Sequence, residues 1–120
     1  MLVVGGESDI GPQASAEVYR PSTNSWVRVA SMGESRVFAT ATLLQDGTVL
    51  VAGGYGITAS AEVYDPANGR WAATAPMLQG RAGHTATLLT NGEVLVSGGD
   101  WSGGPGLPVV TFLYDPDGGP

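Results

Sequence analysis

His84 is the only histidine in the sequence, and there is no cysteine. Protein metal centres are usually built from three or four nitrogen, sulfur or carboxylate donors. No such set is available around one histidine, so His84 reads as a packed or solvated strand residue. The carboxylates Glu7, Asp9 and Asp100 lie in loops that follow paired glycines. Calcium takes about six or more oxygens from a spaced array. The stretch Ser8-Asp9-Ile10-Gly11 has the beginning of such a loop without its continuation, so these charges read as solvated. Glu17, Glu34, Glu62, Asp65, Glu93 and Asp115 are the remaining candidates for acid–base work. Glu17 and Glu62, and Asp65 and Asp115, are equivalent positions of an internal repeat, and recurrence with a motif points to structure. There is no Gly-x-Ser-x-Gly, Walker loop or dinucleotide fingerprint. Gly103-Gly104-Pro105-Gly106 precedes no helix, so it is a flexible loop and no phosphate cradle. The expectation is a chain with no catalytic residue, metal or cofactor of its own.

Residues suited to binding are better represented. Tyr55 and Trp101 each follow close on a glycine pair, and Asp100 adjoins Trp101. An exposed aromatic can stack on a sugar ring or anchor a protein contact. Tyr55, Trp101 and Asp100 are therefore the candidate binding residues. Trp101 has an alternative role as a lid over the open apolar end of its sheet.

Bulk properties restrict the partners. The 120 residues carry a formal net charge of −6, are 42% hydrophobic and only 13% charged, and include 19 glycines. That composition argues for an ordered chain with many tight turns, as in an all-β fold. The five basic residues are all arginine and scattered along the chain, which leaves no basic patch for nucleic acid or anionic lipid. Arginine without lysine is also the usage of a GC-rich, bacterial genome. No apolar run approaches the roughly 18 residues of a membrane helix. The lack of cysteine leaves the compartment open.

A repeat organises the whole sequence. Ala14-Ser15-Ala16-Glu17-Val18-Tyr19 recurs as Ala59-Ser60-Ala61-Glu62-Val63-Tyr64, a shift of 45. The same shift takes Trp26 to Trp71, Met32 to Met77, Arg36 to Arg81 and Gly47 to Gly92. Glycine pairs fall at Gly5-Gly6, Gly53-Gly54 and Gly98-Gly99, with loops of varying length behind them. Fixed segments should be strands and the variable one an exposed loop. Each unit reads as four short strands, typified by Thr85 to Leu89, Val94 to Ser97, Ala61 to Tyr64 and Trp71 to Thr74. Asp46-Gly47 and Asn91-Gly92 predict hairpins with type I′ turns.

Four strands per unit of about 45 residues is the blade of a propeller. The motif resembles that of the kelch family: Gly53, Gly54, Tyr64, Trp71, Met77 and Arg81 in one copy, and Gly5, Gly6, Tyr19, Trp26, Met32 and Arg36 in another. Gly98, Gly99 and Tyr114 begin a third. The resemblance implies an all-β, kelch-type β-propeller fragment of four-stranded antiparallel blades, about two and a half blades and ten strands. It also implies that the Arg36-type segment lies on the innermost strand. Residues 1–35 then form an incomplete blade, 36–77 a complete one and 78–120 another incomplete one.

Propellers close with about four to eight blades, so this chain is not expected to close alone. Alignment of Gly5 with Gly53 sets Met1 opposite Val49. That is what a truncated gene product or a misassigned reading frame would give; the rival is a short protein that closes by oligomerising. Open blade faces predict self-association. The resemblance implies a binding or scaffolding module of a larger propeller, with a protein or carbohydrate ligand held by loops on one face. The alternative is the propeller portion of a secreted galactose oxidase-like or carbohydrate-active enzyme whose active-site residues lie outside this chain. Either parent fits an extracellular or periplasmic location.

Overall fold

A computed structural model describes residues 1–54, 58–101 and 111–116. Its described residues form strands, turns and crossovers, with no helix. The first blade has β1 (Leu2–Val4), a short ribbon of β2 (Glu7–Ser8) and β3 (Gly11–Pro12), then β4 (Ala16–Arg20) and β5 (Ser25–Val29). The second has β6 (Thr40–Leu43), β7 (Val49–Ala52), β8 (Ala61–Asp65) and β9 (Arg70–Thr74). After β10 (Arg81–Ala82), the third has β11 (Thr85–Leu88), β12 (Val94–Ser97), β13 (Asp100–Trp101) and β14 (Phe112–Tyr114). The blade sheets run β1-β4-β5, β6-β7-β8-β9 and β11-β12-β14, all antiparallel. Ten strands thus make a 3-, a 4- and a 3-stranded blade sheet.

Register follows the repeat. Val51 faces Glu62 across β7 and β8, Val3 faces Glu17 across β1 and β4, and Val96 faces Phe112 across β12 and β14. Leu50, Val51 and Ala52 of β7 are all buried, although successive side chains point to opposite faces. A strand covered on both faces must lie between neighbouring blades. Leu50 and Ala52 join Leu44, Ala61 and Met77 against Val94, Val96 and Tyr114 of the third blade. Burying one such leucine contributes about 1.5–3 kcal/mol. The outer strands β5 and β9 are largely exposed and carry more polar and small residues.

The hairpin turns differ from the type I′ expectation. Gly47 and Gly92 have φ of +88° and +91°, but Asp46 and Asn91 stay at negative φ. Leu44 accepts from Gly47 N–H at 3.1 Å and donates to Thr48 at 2.8 Å, and Leu89, Gly92 and Glu93 repeat the pattern. This is the three-residue loop in which glycine alone takes the left-handed region. The Asp46 side chain accepts from the Thr48 amide at 3.0 Å and its hydroxyl at 2.6 Å. Those bonds hold Asp46 in place and draw its carboxyl below the usual carboxylate range.

Candidate functional site

All three glycine pairs end strands at one end of the blades, where the crossovers between blades also run. Backbone geometry explains the glycines. Gly5 and Gly53 have φ of +64° and +74°, and a Cβ on either would lie 2.4 Å from the carbonyl oxygen of Arg36 or Arg81. The pair is where the next crossover lies against the blade: Gly6 N–H donates to Arg36 at 2.7 Å, and Gly54 N–H to Arg81 at 2.9 Å.

Arg36 joins two blades. It precedes β6 by four residues rather than lying on the innermost strand, because its backbone is bonded to Gly6 and Gln13 of the first blade. Its side chain, 1% exposed, reaches into the second. Nη1 donates to Gly53 O at 2.9 Å and Ser60 O at 3.0 Å. Nη2 donates to Ser60 Oγ at 3.0 Å and Glu62 Oε2 at 2.9 Å, and Nε to Glu62 Oε2 at 3.3 Å. Every guanidinium N–H thus has an acceptor. The other oxygen of Glu62 accepts from Gly33 N–H at 2.6 Å. Arg81 is likewise buried and donates to Gly98 O at 3.4 Å, while burial draws its guanidinium below the usual value. In the third blade Phe112 takes the register place of Glu62.

The aromatic pairs also lie at the blade boundaries. Tyr64 and Trp71 have ring centroids 5.1 Å apart, and Trp71 Nε1–H donates to Ala30 O of the preceding crossover at 2.7 Å. Tyr19 and Trp26 form the same ring pair in the first blade. The Tyr114 hydroxyl meets Thr74 Oγ1 at 2.8 Å across the next boundary.

His84 is in the crossover just before β11 and not in a strand, because Gly83 takes a left-handed φ of +67° immediately ahead of it. The ring is 6% exposed, with Nε2 3.0 Å from Thr40 Oγ1 and Nδ1 buried with no hydrogen-bond partner among the described residues. Burial first, and the Arg81 charge second, hold its pKa below the usual value, against an opposing pull from the Ala52 backbone. Among the described residues no three His, Asp or Glu side chains gather as metal ligands.

Asp100 is exposed. It and Trp101 belong to β13, not a loop, because they pair with Ala82 and Arg81 of β10. Likewise part of the Glu7 to Gln13 loop is the ribbon β2–β3. Tyr55 and the Trp101 side chain lie outside the described residues. Two residues that the sequence analysis passed over stand out at this end. Ile10, at the tip of the ribbon, is 91% exposed, and Phe38 is 69% exposed. Phe38 has φ of +61°, a conformation a bulky side chain rarely takes. Its repeat counterpart is Gly83, whose N–H donates to Phe38 O at 2.9 Å. Phenylalanine against glycine at one repeat position was the available signal. Phe38 also borders a cleft of about 320 Å³ between Leu2–Val4 and β6. Glu7, Asp9, Glu34 and Asp100 are exposed around this end.

The kelch motif profile matches residues 1–33 and 38–78, more than half of the chain. Among solved structures, the chain is similar to a protein described as a novel fungal alcohol oxidase with catalytic diversity among the AA5 family, in complex with copper. The TM-score is 0.74 at 20% identity, over 96% of this chain and 26% of the other. That likeness is one of fold, and this chain spans about a quarter of the oxidase's length.

Proposed function

The chain belongs to the kelch-motif family, and from that premise we propose that it is a non-catalytic binding module that docks a protein at the glycine-pair end of its blades. The observation that carries this reading is Phe38, a largely exposed aromatic at positive φ where the other copy of the repeat has Gly83. Strain of that kind costs about 1–3 kcal/mol and concentrates where a site requires it. Ile10 supplies a second apolar anchor, and the surrounding carboxylates favour a partner with basic residues at its rim.

The copper enzyme reading rests on the fold likeness alone. The donors here do not fit a copper centre: the one histidine is buried against Thr40, and there is no cysteine. A test selects binders on the wild-type chain from a displayed peptide library and measures them against Phe38→Gly and Ile10→Ala. Phe38→Gly is expected to raise stability by about 1 kcal/mol while weakening the binders at least about tenfold. Binders indifferent to both substitutions would contradict the reading.

A further inference from the structure

We propose that His84 is the positioning residue for Phe38, holding it in its exposed, left-handed conformation while the imidazole is neutral and releasing it on protonation. The inference rests on the reading of Phe38 as a binding residue and adds a regulation to that site. Two contacts from one short segment clamp the backbone around Phe38. Gly83 N–H donates to Phe38 O at 2.9 Å, and His84 Nε2 lies 3.0 Å from Thr40 Oγ1, two residues beyond Phe38. A bulky residue returns to ordinary φ unless its neighbours hold it, and Phe38 stands at +61°. The clamp is itself packed tightly. A Cβ on Gly53 would lie 2.6 Å from His84 Cε1, and one on Gly99 2.9 Å from His84 Cα. His84 is thus seated between the glycine pairs of the second and third blades. Ala39 takes its place in the first copy, so the repeat does not demand a histidine there.

Protonation makes both ring nitrogens donors. Nε2 has Thr40 Oγ1 beside it, but Nδ1 is buried with no hydrogen-bond partner among the described residues. The charged groups around the ring do not compensate. Arg81, buried on the same crossover, would stand beside it as a second cation. The nearby strands β6, β7, β11 and β12 carry no charged residue. β13 brings Asp100, which is exposed opposite Ala82. The first crossover brings Arg36, already bonded to Glu62, and the exposed Glu34. The Ala52 backbone favours the imidazolium, but burial and Arg81 outweigh it and hold the ring's pKa below the usual value. By linkage, a released ring takes its proton near the ordinary value of about 6.5, and a clamped ring only at lower pH. Each pH unit below about 6.5 therefore favours release about tenfold, until the clamped ring titrates too.

The test follows three NMR signals of the full chain between pH 7.5 and pH 5. They are the fluorine of 4-fluorophenylalanine at Phe38, assigned with Phe38→Leu, the His84 ring protons and the Trp71 indole N–H. The Phe38 signal is expected to move below about pH 6.5 in step with His84. The Trp71 indole, bonded to Ala30 O elsewhere on the joint, should stay in place. His84→Gln should remove the pH dependence of Phe38. Thr40→Val, which breaks the clamp and keeps the histidine, should carry the Phe38 signal toward its acid position already at pH 7.5. A histidine-free peptide selected on the wild-type chain at pH 7.5 should bind at least about fivefold more weakly at pH 5.5. Its affinity for His84→Gln should be equal at the two pH values. The proposal is overturned by a Phe38 signal that stays fixed, that moves equally in His84→Gln, or that moves only with the Trp71 indole as the whole chain unfolds. Peptide binding that ignores pH while the Phe38 signal moves would overturn the regulation. Failure of every peptide to bind at pH 7.5 would overturn the binding reading of Phe38 instead, and the three signals alone would then decide the positioning role.

Discussion

Without its guanidinium, Arg36 would leave the Glu62 carboxylate buried with only the Gly33 amide beside it. Breaking a buried pair from one side costs about 3–5 kcal/mol, because the remaining charge keeps its desolvation penalty. Arg36→Met should therefore destabilise by about that amount in chemical denaturation. Arg36→Met with Glu62→Met should recover part of the loss, since no charge is then stranded. His84 gives a pH signature at the same scale. Its folded pKa is depressed by burial and by Arg81. The unfolded chain thus binds the proton more readily, and stability falls as pH drops below the ordinary histidine value of about 6.5. His84→Phe should flatten the stability profile in that window, as measured by denaturation midpoints between pH 7 and pH 5. An unchanged profile would place the titration elsewhere.

The turns and glycine pairs carry the strand-level argument. Gly47 and Gly53 both have positive φ, yet a Cβ on Gly47 meets open space and one on Gly53 meets the Arg81 carbonyl and the His84 ring. Gly47→Ala should cost about 1–2 kcal/mol from φ alone. Gly53→Ala should cost clearly more, because the crossover must also move; equal losses in thermal unfolding would mean that the crossover is loosely held. Strand positions were legible in the sequence because β-branched runs alternate with Asp-Gly, Asn-Gly and Asp-Pro turns at a fixed shift. The turn type was not, because Asp-Gly suits both a two-residue type I′ loop and a three-residue loop with glycine alone left-handed. The place of Arg36 was equally hidden. A sequence shows that the arginine recurs, but not that its backbone belongs to one blade and its side chain to the next. The candidate site was the least legible part: the interest of Phe38 comes from its φ and exposure, and sequence shows only that Gly83 replaces it.

Across the whole molecule, the joints between blades are the repeated element: arginine side chains, the Trp71–Ala30 bond, the Tyr114–Thr74 bond and the apolar cluster between the second and third blades. Beside Trp26, apolar and polar groups stand open together in the pocket lined by Val3, Gly5, Ser15 and Glu17. We expect association of the isolated chain to increase with concentration in light scattering; a monomer at every concentration would count against exposed blade faces as adhesive surfaces. On the proposed function, the glycine-pair end of the blades binds and the opposite end does not. Hydrogen-exchange mass spectrometry of the full chain, with and without a selected peptide binder, tests it most directly. Slowed exchange is expected at residues 5–13, 34–39 and 80–84, with the turns at 44–48, 65–69 and 89–93 unchanged. Protection at those turns, with the glycine-pair end exchanging as before, would contradict it.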